Sequence, residues 1–209
     1  RIMLGTRDVT GWPEHRRARV IGRVFQNPLS GTAPGMSVAE NVALAARRGQ
    51  THGLGWALPA RRRAEIAARV RELGMGLEER LTNDIAGLSG GQRQALTLLM
   101  ATWTRPHLLL LDEHTAALDP KSAALVVRLT HAIVSAQELT TLMVTHSMHQ
   151  AVELGDRLIM VHRGRIIADI SGAAKRALRA SDLLAQFEKL RRTELLDPSA
   201  AELLRSSYV

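Results

Sequence analysis

Leu88-Ser89-Gly90-Gly91-Gln92 is the most informative stretch of this 209-residue chain. Two adjacent glycines allow a backbone to come close to an anion, and the residues from Gln92 to Thr102 favour a helix. A helix N-terminus presents free N–H groups, so a serine and two glycines just before it are suited to binding a phosphate group. A flexible loop with a serine cap is the alternative for Ser-Gly-Gly alone, and the rest of the chain decides between the two.

Two acidic residues follow a run of leucines further along the chain. Leu108-Leu109-Leu110-Leu111 predicts a strand buried on both faces, which is typical of a parallel sheet. Asp112 and Glu113 would then emerge at the carboxyl end of that strand, where open α/β sheets bind their ligands. Because neighbouring strand residues point to opposite faces, one carboxylate can hold Mg²⁺ while the other polarises an attacking water. An ordinary acidic strand end is the alternative for this pair taken alone.

Most of the remaining chain alternates between strand-like and helix-like patterns. Val20–Phe25 and Thr140–Thr145 predict two further strands, the second of them buried. Ser37, with Glu40 three residues later, forms a capping box that predicts a helix over residues 38–46. The other predicted elements are helices over residues 60–73, 121–136, 147–154 and 176–209, a hairpin over residues 157–170, and loops over residues 27–36 and 49–59. This alternation predicts an α/β domain with a largely parallel sheet.

The composition narrows the classes of protein to which the chain can belong. No run of eighteen apolar residues occurs, so no membrane-spanning helix is predicted, and no cysteine is present for disulfides or thiolate metal sites. The net charge of +8 suits contact with phosphate groups, but the basic residues are spread out and lack interleaved aromatic residues. A solvated, arginine-rich surface is therefore favoured over a nucleic-acid interface. The start at Arg1 shows neither a signal peptide nor an initiator methionine, and we expect it to be a truncation.

Two more motifs follow the acidic pair, Ala117-Leu118-Asp119 and Val144-Thr145-His146. In order and spacing, the four motifs together resemble those of the ATP-binding cassette (ABC) ATPases. The resemblance covers all but the last part of the chain. It implies a P-loop NTPase-type α/β cassette, N-terminally truncated, whose mostly parallel sheet has an inserted helical subdomain. The expected divisions are a remainder of the N-terminal core lobe (1–26), the helical subdomain (27–100), the core with the acidic pair (101–175) and a helical tail (176–209).

The resemblance also implies roles for individual residues, with ATP and Mg²⁺ as cofactors. Glu113 would activate the attacking water, and His146 would contact the γ-phosphate as the family's switch histidine. Asp112 and Gln26 would hold Mg²⁺, and Asp119 would link the two sites of a dimer. The residues expected to contact ATP bound mainly by the opposite subunit are Ser89, Gly90, Gly91 and Gln92. Without the resemblance, Gln26 would be a surface glutamine, His146 a structural histidine and Asp119 a helix cap.

One motif of that family is missing from the sequence. A phosphate-binding loop needs Gly, four residues, Gly, Lys and then Ser or Thr. The chain has three lysines, and none of them follows a glycine: Lys121, Lys175 and Lys189. Pro120-Lys121-Ser122 lacks the glycines and opens a predicted helix. We therefore expect the loop to lie upstream of Arg1 and the chain alone to be inactive.

Some stretches are similar to one subgroup of bacterial uptake ATPases, described as tryptophan/tyrosine importers. They are Val24–Pro28 followed by Gly31–Pro34, Gln92–Met100, and Asp112–Pro120, in which His114 stands where many relatives have proline. The resemblance implies a peripheral ATPase subunit on the cytoplasmic face of the inner membrane, energising uptake of a small solute. Its expected partners are a second ATPase subunit, membrane permease subunits and, indirectly, a periplasmic binding protein. Residues 27–48, with Glu40-Asn41 inside them, are the expected contact surface for the permease.

A soluble ABC ATPase that acts on nucleic acid or ribosomes is the alternative function. The DNA-linked kind needs a long coiled coil between Gln26 and Leu88, and the stretch between these residues is too short and too rich in loops. The translation-linked kind has two cassettes in one chain, whereas this chain has one. Transport is therefore favoured, and no nucleic-acid partner is expected.

Overall fold

The computed structural model describes residues 1–50 and 58–195. The chain forms two compact units, Arg1–Val144 and Thr145–Val209. Most of the predicted loop over residues 49–59 and the end of the predicted helical tail, residues 196–209, lie outside the described residues.

The first unit contains a short antiparallel pair and a three-stranded parallel sheet. The pair is formed by β1 (Met3–Leu4) and β2 (Arg7–Asp8). The sheet has the order β3 (Ile21–Val24), β4 (Leu108–Asp112) and β5 (Thr141–Val144). Val24 lies beside Leu111, and Asp112 lies beside Val144, so the three strands end at the same edge of the sheet. This confirms the parallel α/β sheet and places the acidic pair at the edge where such sheets bind ligands.

Outside residues 51–57 this unit contains five α-helices, and the predicted ones form close to their expected bounds. They are α1 (Glu14–Arg17), α2 (Val38–Ala46), α3 (Ala60–Arg71), α4 (Gly90–Thr102) and α5 (Pro120–Gln137). Three short 3₁₀ helices span Pro28–Gly31, Leu77–Arg80 and Ile85–Gly87. The predicted capping box is present at α2, because Ser37 Oγ accepts from the Glu40 N–H (3.3 Å) and Glu40 Oε2 accepts from the Ser37 N–H (2.8 Å).

Two groups of buried aliphatic side chains stabilise the first unit. One joins α2, α3 and α4, where Val42, Ile66 and Leu96 are completely buried. The other lies between the sheet and the helices α4 and α5, and it includes Leu98 and Leu109. A fully buried side chain of this size contributes roughly 1.5–3 kcal/mol, so these contacts fix α4 against β3 and β4.

The expectation of a strand buried on both faces is wrong for β4, whose Leu108 and Leu110 are only partly buried, and the expectation of a buried strand is wrong for β5. Leu109 and Leu111 of β4 are buried, whereas Leu142 and Val144 of β5 are 55% and 52% exposed. The reason is that α4 and α5 both pack on the face of the sheet that contains Leu109 and Leu111. An apolar run predicts a strand, but it does not determine how many of its faces are covered.

Up to residue 195, the second unit contains the predicted hairpin and three helices. The hairpin is β6 (Arg157–His162) and β7 (Arg165–Ser171), and its turn is at Arg163-Gly164 as expected. The helices are α6 (Met148–Glu153), α7 (Gly172–Ala177) and α8 (Ala180–Leu195). Leu158, Met160 and Leu183 form the small core of this unit. Among the described residues, no helix is long and apolar enough to cross a membrane.

Candidate functional site

Gln26 and Glu113 meet beyond the carboxyl ends of two neighbouring parallel strands. Gln26 comes two residues after β3, and Glu113 comes directly after β4. The Gln26 Nε2 amide donates a hydrogen bond of 3.2 Å to Glu113 Oε2. These residues are far apart in the sequence, and the register of β3 on β4 brings them together.

The backbone of Glu113 leaves the strand in an uncommon conformation. Its φ angle is +43°, in the left-handed region that residues other than glycine seldom adopt. The Glu113 N–H donates to the Val144 carbonyl (3.0 Å), and the Glu113 carbonyl accepts from the Ala116 N–H (3.0 Å). Two hydrogen bonds therefore hold a strained residue at the strand end. Backbone strain of this kind is found mostly at functional sites.

Asp112, the other acidic residue, forms an ion pair. Arg23 of β3 donates from a guanidinium nitrogen to Asp112 Oδ2 at 3.0 Å. Both side chains are about half exposed, at 52% and 45%. The same guanidinium lies 4.4 Å from the centre of the Phe25 ring. Asp112 and Glu113 thus have different partners, an arginine for one and a glutamine for the other.

His114, which follows the acidic pair, is buried. It is 2% exposed, and its Nε2 lies 3.1 Å from Thr130 Oγ1. Because the Thr130 hydroxyl donates to the Val126 carbonyl, its oxygen is left to accept from the His114 ring. Burial lowers the pKa of His114 from 6.5 to about 4, so the ring is neutral at pH 7. His114 therefore has a structural role, in which it joins the end of β4 to α5 through Thr130.

Ser89 and Gln92 form the start of helix α4. Ser89 Oγ accepts from the Gln92 N–H (3.2 Å), and Gln92 Oε1 accepts from the Ser89 N–H (3.1 Å). Gln92 Nε2 also donates to the Met75 carbonyl at 3.3 Å. Ser89 is exposed and Gln92 is half-buried. The helix start is therefore rigid and open to solvent on the side of Ser89, although both side chains already make hydrogen bonds within the chain.

Gly90 and Gly91 pack against the chain near the start of α5. A Cβ atom added at Gly91 would lie 2.8 Å from the Ser122 Cβ and 2.9 Å from its Oγ. One added at Gly90 would lie 3.3 Å from Leu118 Cδ2. Sequence reasoning explained both glycines by the approach of an anion. The structure adds a second reason for Gly91, because only glycine fits between α4 and α5 without displacing Ser122.

Asp119 is the N-cap of α5. Its Oδ1 accepts from the backbone N–H groups of Lys121 (3.1 Å) and Ser122 (3.0 Å). Hydrogen bonds from Ser122 hold the pKa of the Asp119 carboxyl below its usual value. The simpler role considered for this residue, a helix cap, is therefore present.

His146 belongs to the second unit, between β5 and α6, and its side chain is exposed. The turn around it is fixed by neighbours. Thr145 Oγ1 accepts from the Ser147 N–H (3.1 Å) and donates to Gln150 Oε1 (3.1 Å). Ser147 Oγ in turn accepts from the Gln150 N–H at 3.4 Å, which caps α6.

The acidic edge of the sheet offers the ligands that Mg²⁺ prefers. Two carboxylates and an amide, from Asp112, Glu113 and Gln26, stand at adjacent strand ends. Mg²⁺ is usually held by one or two carboxylates together with phosphate oxygens and water, so this donor set fits the ion. Among the side chains described in residues 1–50 and 58–188, no group of three or more His, Cys, Asp or Glu residues is placed to hold a metal. A magnesium ion at this edge would be held by these few side chains together with phosphate oxygens and water.

Sequence reasoning missed two residues of this region. Arg23 pairs with Asp112. The sequence feature that could have indicated this role is a basic residue inside an otherwise apolar strand. Gln94 is completely buried, and its Nε2 donates to the Phe25 carbonyl at 3.2 Å. Gln94 thereby ties α4 to the residue before Gln26, and no pattern in the sequence indicated that contact.

Comparison with known proteins agrees with this geometry. The ABC transporter family profile matches residues 1–116, more than half of the chain. This chain belongs to the ABC transporter family. It is an ABC-type ATPase subunit, and its α/β sheet with packed helices is the cassette of that family.

The relatives of this ABC chain include ATP-binding proteins of several importers. A tyrosine transport ATP-binding protein from Clostridioides difficile is 40% identical over 187 residues, which is 90% of this chain and 74% of the relative. The methionine import ATP-binding protein MetN from Xanthomonas campestris is 36% identical over 80% of this chain and 48% of the relative. The phosphate import ATP-binding protein PstB from Aeropyrum pernix is 34% identical over 71% of this chain and 57% of the relative. The chain thus spans less than two thirds of the methionine and phosphate relatives.

Solved structures show the same fold. The ATP-binding cassette MJ0796, a dimer in a post-hydrolysis state bound to ADP and Pi, has a TM-score of 0.62 and 25% identity, covering 75% of this chain and 65% of that chain. The structure of cbiO1 from Clostridium perfringens, part of the ABC transporter complex cbiONQ, has a TM-score of 0.59 and 24% identity. The match covers 91% of this chain and 68% of that chain.

Proposed function

We propose that this chain supplies the catalytic half-site of an ABC importer that hydrolyses ATP to drive uptake of an amino acid. The observation that supports it most is the Gln26–Glu113 hydrogen bond of 3.2 Å at the ends of two adjacent parallel strands. It brings together a carboxylate suited to activating water and an amide suited to the nucleotide's metal. The left-handed backbone of Glu113 is the second support, because strained residues of this kind cluster at functional sites.

We assign individual roles from the resemblance to the motifs of the ABC family. Glu113 takes the proton of the attacking water, and His146 contacts the γ-phosphate. Asp112 and Gln26 would hold Mg²⁺, which when bound would neutralise the charge that develops on the phosphate oxygens. Because Gln26 donates to Glu113, it also orients the carboxylate that takes the proton.

The start of α4 serves the ATP of a second subunit. Ser89, Gly90, Gly91 and Gln92 present the N-terminus of a thirteen-residue helix, where backbone N–H groups favour an anion. Ser89 is exposed and is the residue of this group best placed to meet a partner. Asp119 lies close to the same place in the fold, since Ser122, which it caps, touches Gly91. Closure of the dimer on ATP then completes both sites.

The permease contact surface lies within residues 27–48. Leu29 and Leu44 are exposed apolar side chains there, at 38% and 55%. Asn41, which the sequence placed on this surface, is 1% exposed. Its amide donates to the carbonyls of Ala33, Met36 and Ser37, and its oxygen accepts from the Ala33 N–H. Asn41 therefore shapes the surface, and Leu29 and Leu44 make the contact on the cytoplasmic side of the membrane.

An aromatic amino acid is the proposed cargo, supported by the 40% identity over 90% of this chain to the tyrosine transport protein. A permease and a periplasmic binding protein would select it. The 209-residue chain alone is proposed to be inactive, because no lysine in it follows a glycine as a phosphate-binding loop requires.

Uptake by cells tests this function. Accumulation of labelled tyrosine, tryptophan, methionine and phosphate is compared between cells with the intact gene and cells with Glu113→Gln at the chromosomal locus. We expect uptake of tyrosine or tryptophan to fall at least about tenfold while phosphate uptake is unchanged. Equal uptake of all four solutes in both strains would refute an importer of these solutes.

A further inference from the structure

The ion pair between Arg23 and Asp112 is unusual for its position. It connects two parallel strands at the edge where the acidic pair emerges, at 3.0 Å. Arg23 lies beside Leu110 in the sheet register, so its side chain and that of Asp112 share one face. This face is only partly covered, because both members of the pair are about half exposed.

Phe25 determines the direction of the Arg23 side chain. It is two residues further along and therefore on the same side of the chain, and its ring centre lies 4.4 Å from the guanidinium carbon. The Phe25 carbonyl is in turn held by the buried Gln94. The guanidinium thus has an aromatic ring on one side and a carboxylate on the other. This arrangement favours one orientation of a long side chain that would otherwise be mobile.

We propose that Arg23 is a built-in counter-ion that competes with the divalent cation for Asp112. The inference rests on the proposed function, in which Asp112 holds Mg²⁺. Without metal, the guanidinium neutralises the carboxylate; with metal, Asp112 turns from Arg23 to the cation. Arg23 thereby sets the metal concentration that the site requires, and Phe25 keeps the displaced guanidinium close.

We expect Arg23 and the divalent cation to compete for Asp112 because the protein offers the metal few other ligands. The described part of the chain contains no cluster of three or more acidic or histidine side chains that could hold a metal, so Asp112 is a large share of the protein's contribution. A positive charge at 3.0 Å from that carboxylate opposes a second cation directly. Since both groups are half exposed, solvent screening limits the effect to about fivefold in metal affinity.

Mn²⁺ binding followed by electron paramagnetic resonance tests the proposal on a form of the chain that is preceded by a phosphate-binding loop, with and without ATP. The variants are Arg23→Met, which keeps the length and the contact with Phe25, and Arg23→Lys, which keeps the charge. Arg61→Met is the matched control, because Arg61 is an exposed arginine of α3. We expect the Mn²⁺ dissociation constant to fall about fivefold in Arg23→Met and to stay near the wild-type value in Arg23→Lys and Arg61→Met.

A double variant separates this inference from the proposed function. Asp112→Asn should weaken Mn²⁺ binding, and Arg23→Met should have no further effect in that background. If Asp112→Asn weakens binding but Arg23→Met does not strengthen it, Arg23 is not a competitor, and the function stands. If Asp112→Asn changes nothing, or if no form binds Mn²⁺ even with ATP present, Asp112 holds no metal and both ideas fail.

Discussion

Glu113 is the residue on which the catalytic proposal depends most. Its backbone is strained at a φ of +43°, and its carboxylate accepts from Gln26. The sequence predicted a pair of acidic residues at a strand end, but not the conformation that turns Glu113 out of the strand. That conformation depends on hydrogen bonds to Val144 and Ala116, and the first of these requires the packing of β5 beside β4.

Replacing Glu113 by glutamine removes the proposed base but keeps its size. In a form extended upstream of Arg1 with a phosphate-binding loop, Glu113→Gln should bind ATP and lose at least about a hundredfold in hydrolysis rate. Retained ATP and the rate of phosphate release are the measurements. Glu79→Gln, at an exposed glutamate, is the control and should keep the wild-type rate. Normal hydrolysis by Glu113→Gln would remove this residue from the mechanism.

Ser89 caps α4 and is also proposed to contact a second subunit. Two substitutions distinguish these roles. Ser89→Asn keeps a side chain that can cap α4, whereas Ser89→Arg adds length and charge toward the partner subunit. In the extended form, we expect Ser89→Arg to remain monomeric with ATP and Ser89→Asn to dimerise, as seen by light scattering. Circular dichroism should show the helix intact in the asparagine variant. A dimer of Ser89→Arg with ATP would argue against a contact across the interface.

His114 predicts a pH dependence of stability. Its pKa is about 4 in the folded chain and near 6.5 when exposed, so below pH 6.5 the unfolded state binds more protons. Its contribution to stability is therefore complete above pH 6.5 and is lost as the pH falls toward 4. The loss should reach about 3 kcal/mol, at about 1.4 kcal/mol per pKa unit. Urea unfolding at several pH values measures it, and His114→Gln should lack this part of the pH dependence. If the stability of the wild type and of His114→Gln depended on pH in the same way, His114 would not be buried and neutral.

At the level of elements, helices were predicted more fully than their contacts. The capping box at α2 and the apolar stripe of α3 are local patterns, so the sequence contains them. The exposed face of β5 was not predictable from its apolar run, because coverage depends on where α4 and α5 pack. For the same reason Arg23 was missed, since its partner on β4 is defined only by the sheet register.

Gly91 joins two elements, and substitution by alanine tests that contact. The added methyl group would stand 2.8 Å from Ser122 Cβ, so α4 and α5 must separate. We expect Gly91→Ala to lower the free energy of unfolding by about 1–3 kcal/mol. Gly87→Ala, where a Cβ would meet nothing within 4 Å, is the control and should change stability little. A Gly91→Ala variant as stable as the control would show that the helices approach less closely than described.

At the level of the whole molecule, the family was predictable because its motifs are short and keep a fixed order. Four motifs identified it, and the family profile and the relatives confirmed it. The transported substrate was not predictable in the same way, because proteins named for tyrosine, methionine and phosphate transport all match this chain, at 40%, 36% and 34% identity. The divisions between subdomains remain a prediction. The net charge of +8 is compatible with binding nucleotide phosphates but does not distinguish a cargo.

The most direct test of the account is Mg²⁺-dependent ATP hydrolysis, measured side by side for the 209-residue chain and for the form extended upstream of Arg1. The account predicts hydrolysis by the extended form and none by the shorter chain, because Asp112, Glu113 and Gln26 need phosphates held by a loop that the sequence does not contain. Hydrolysis by the shorter chain would contradict the need for that loop. Absence of hydrolysis in both forms would contradict the assignment of Glu113 as the base of a working ATPase site.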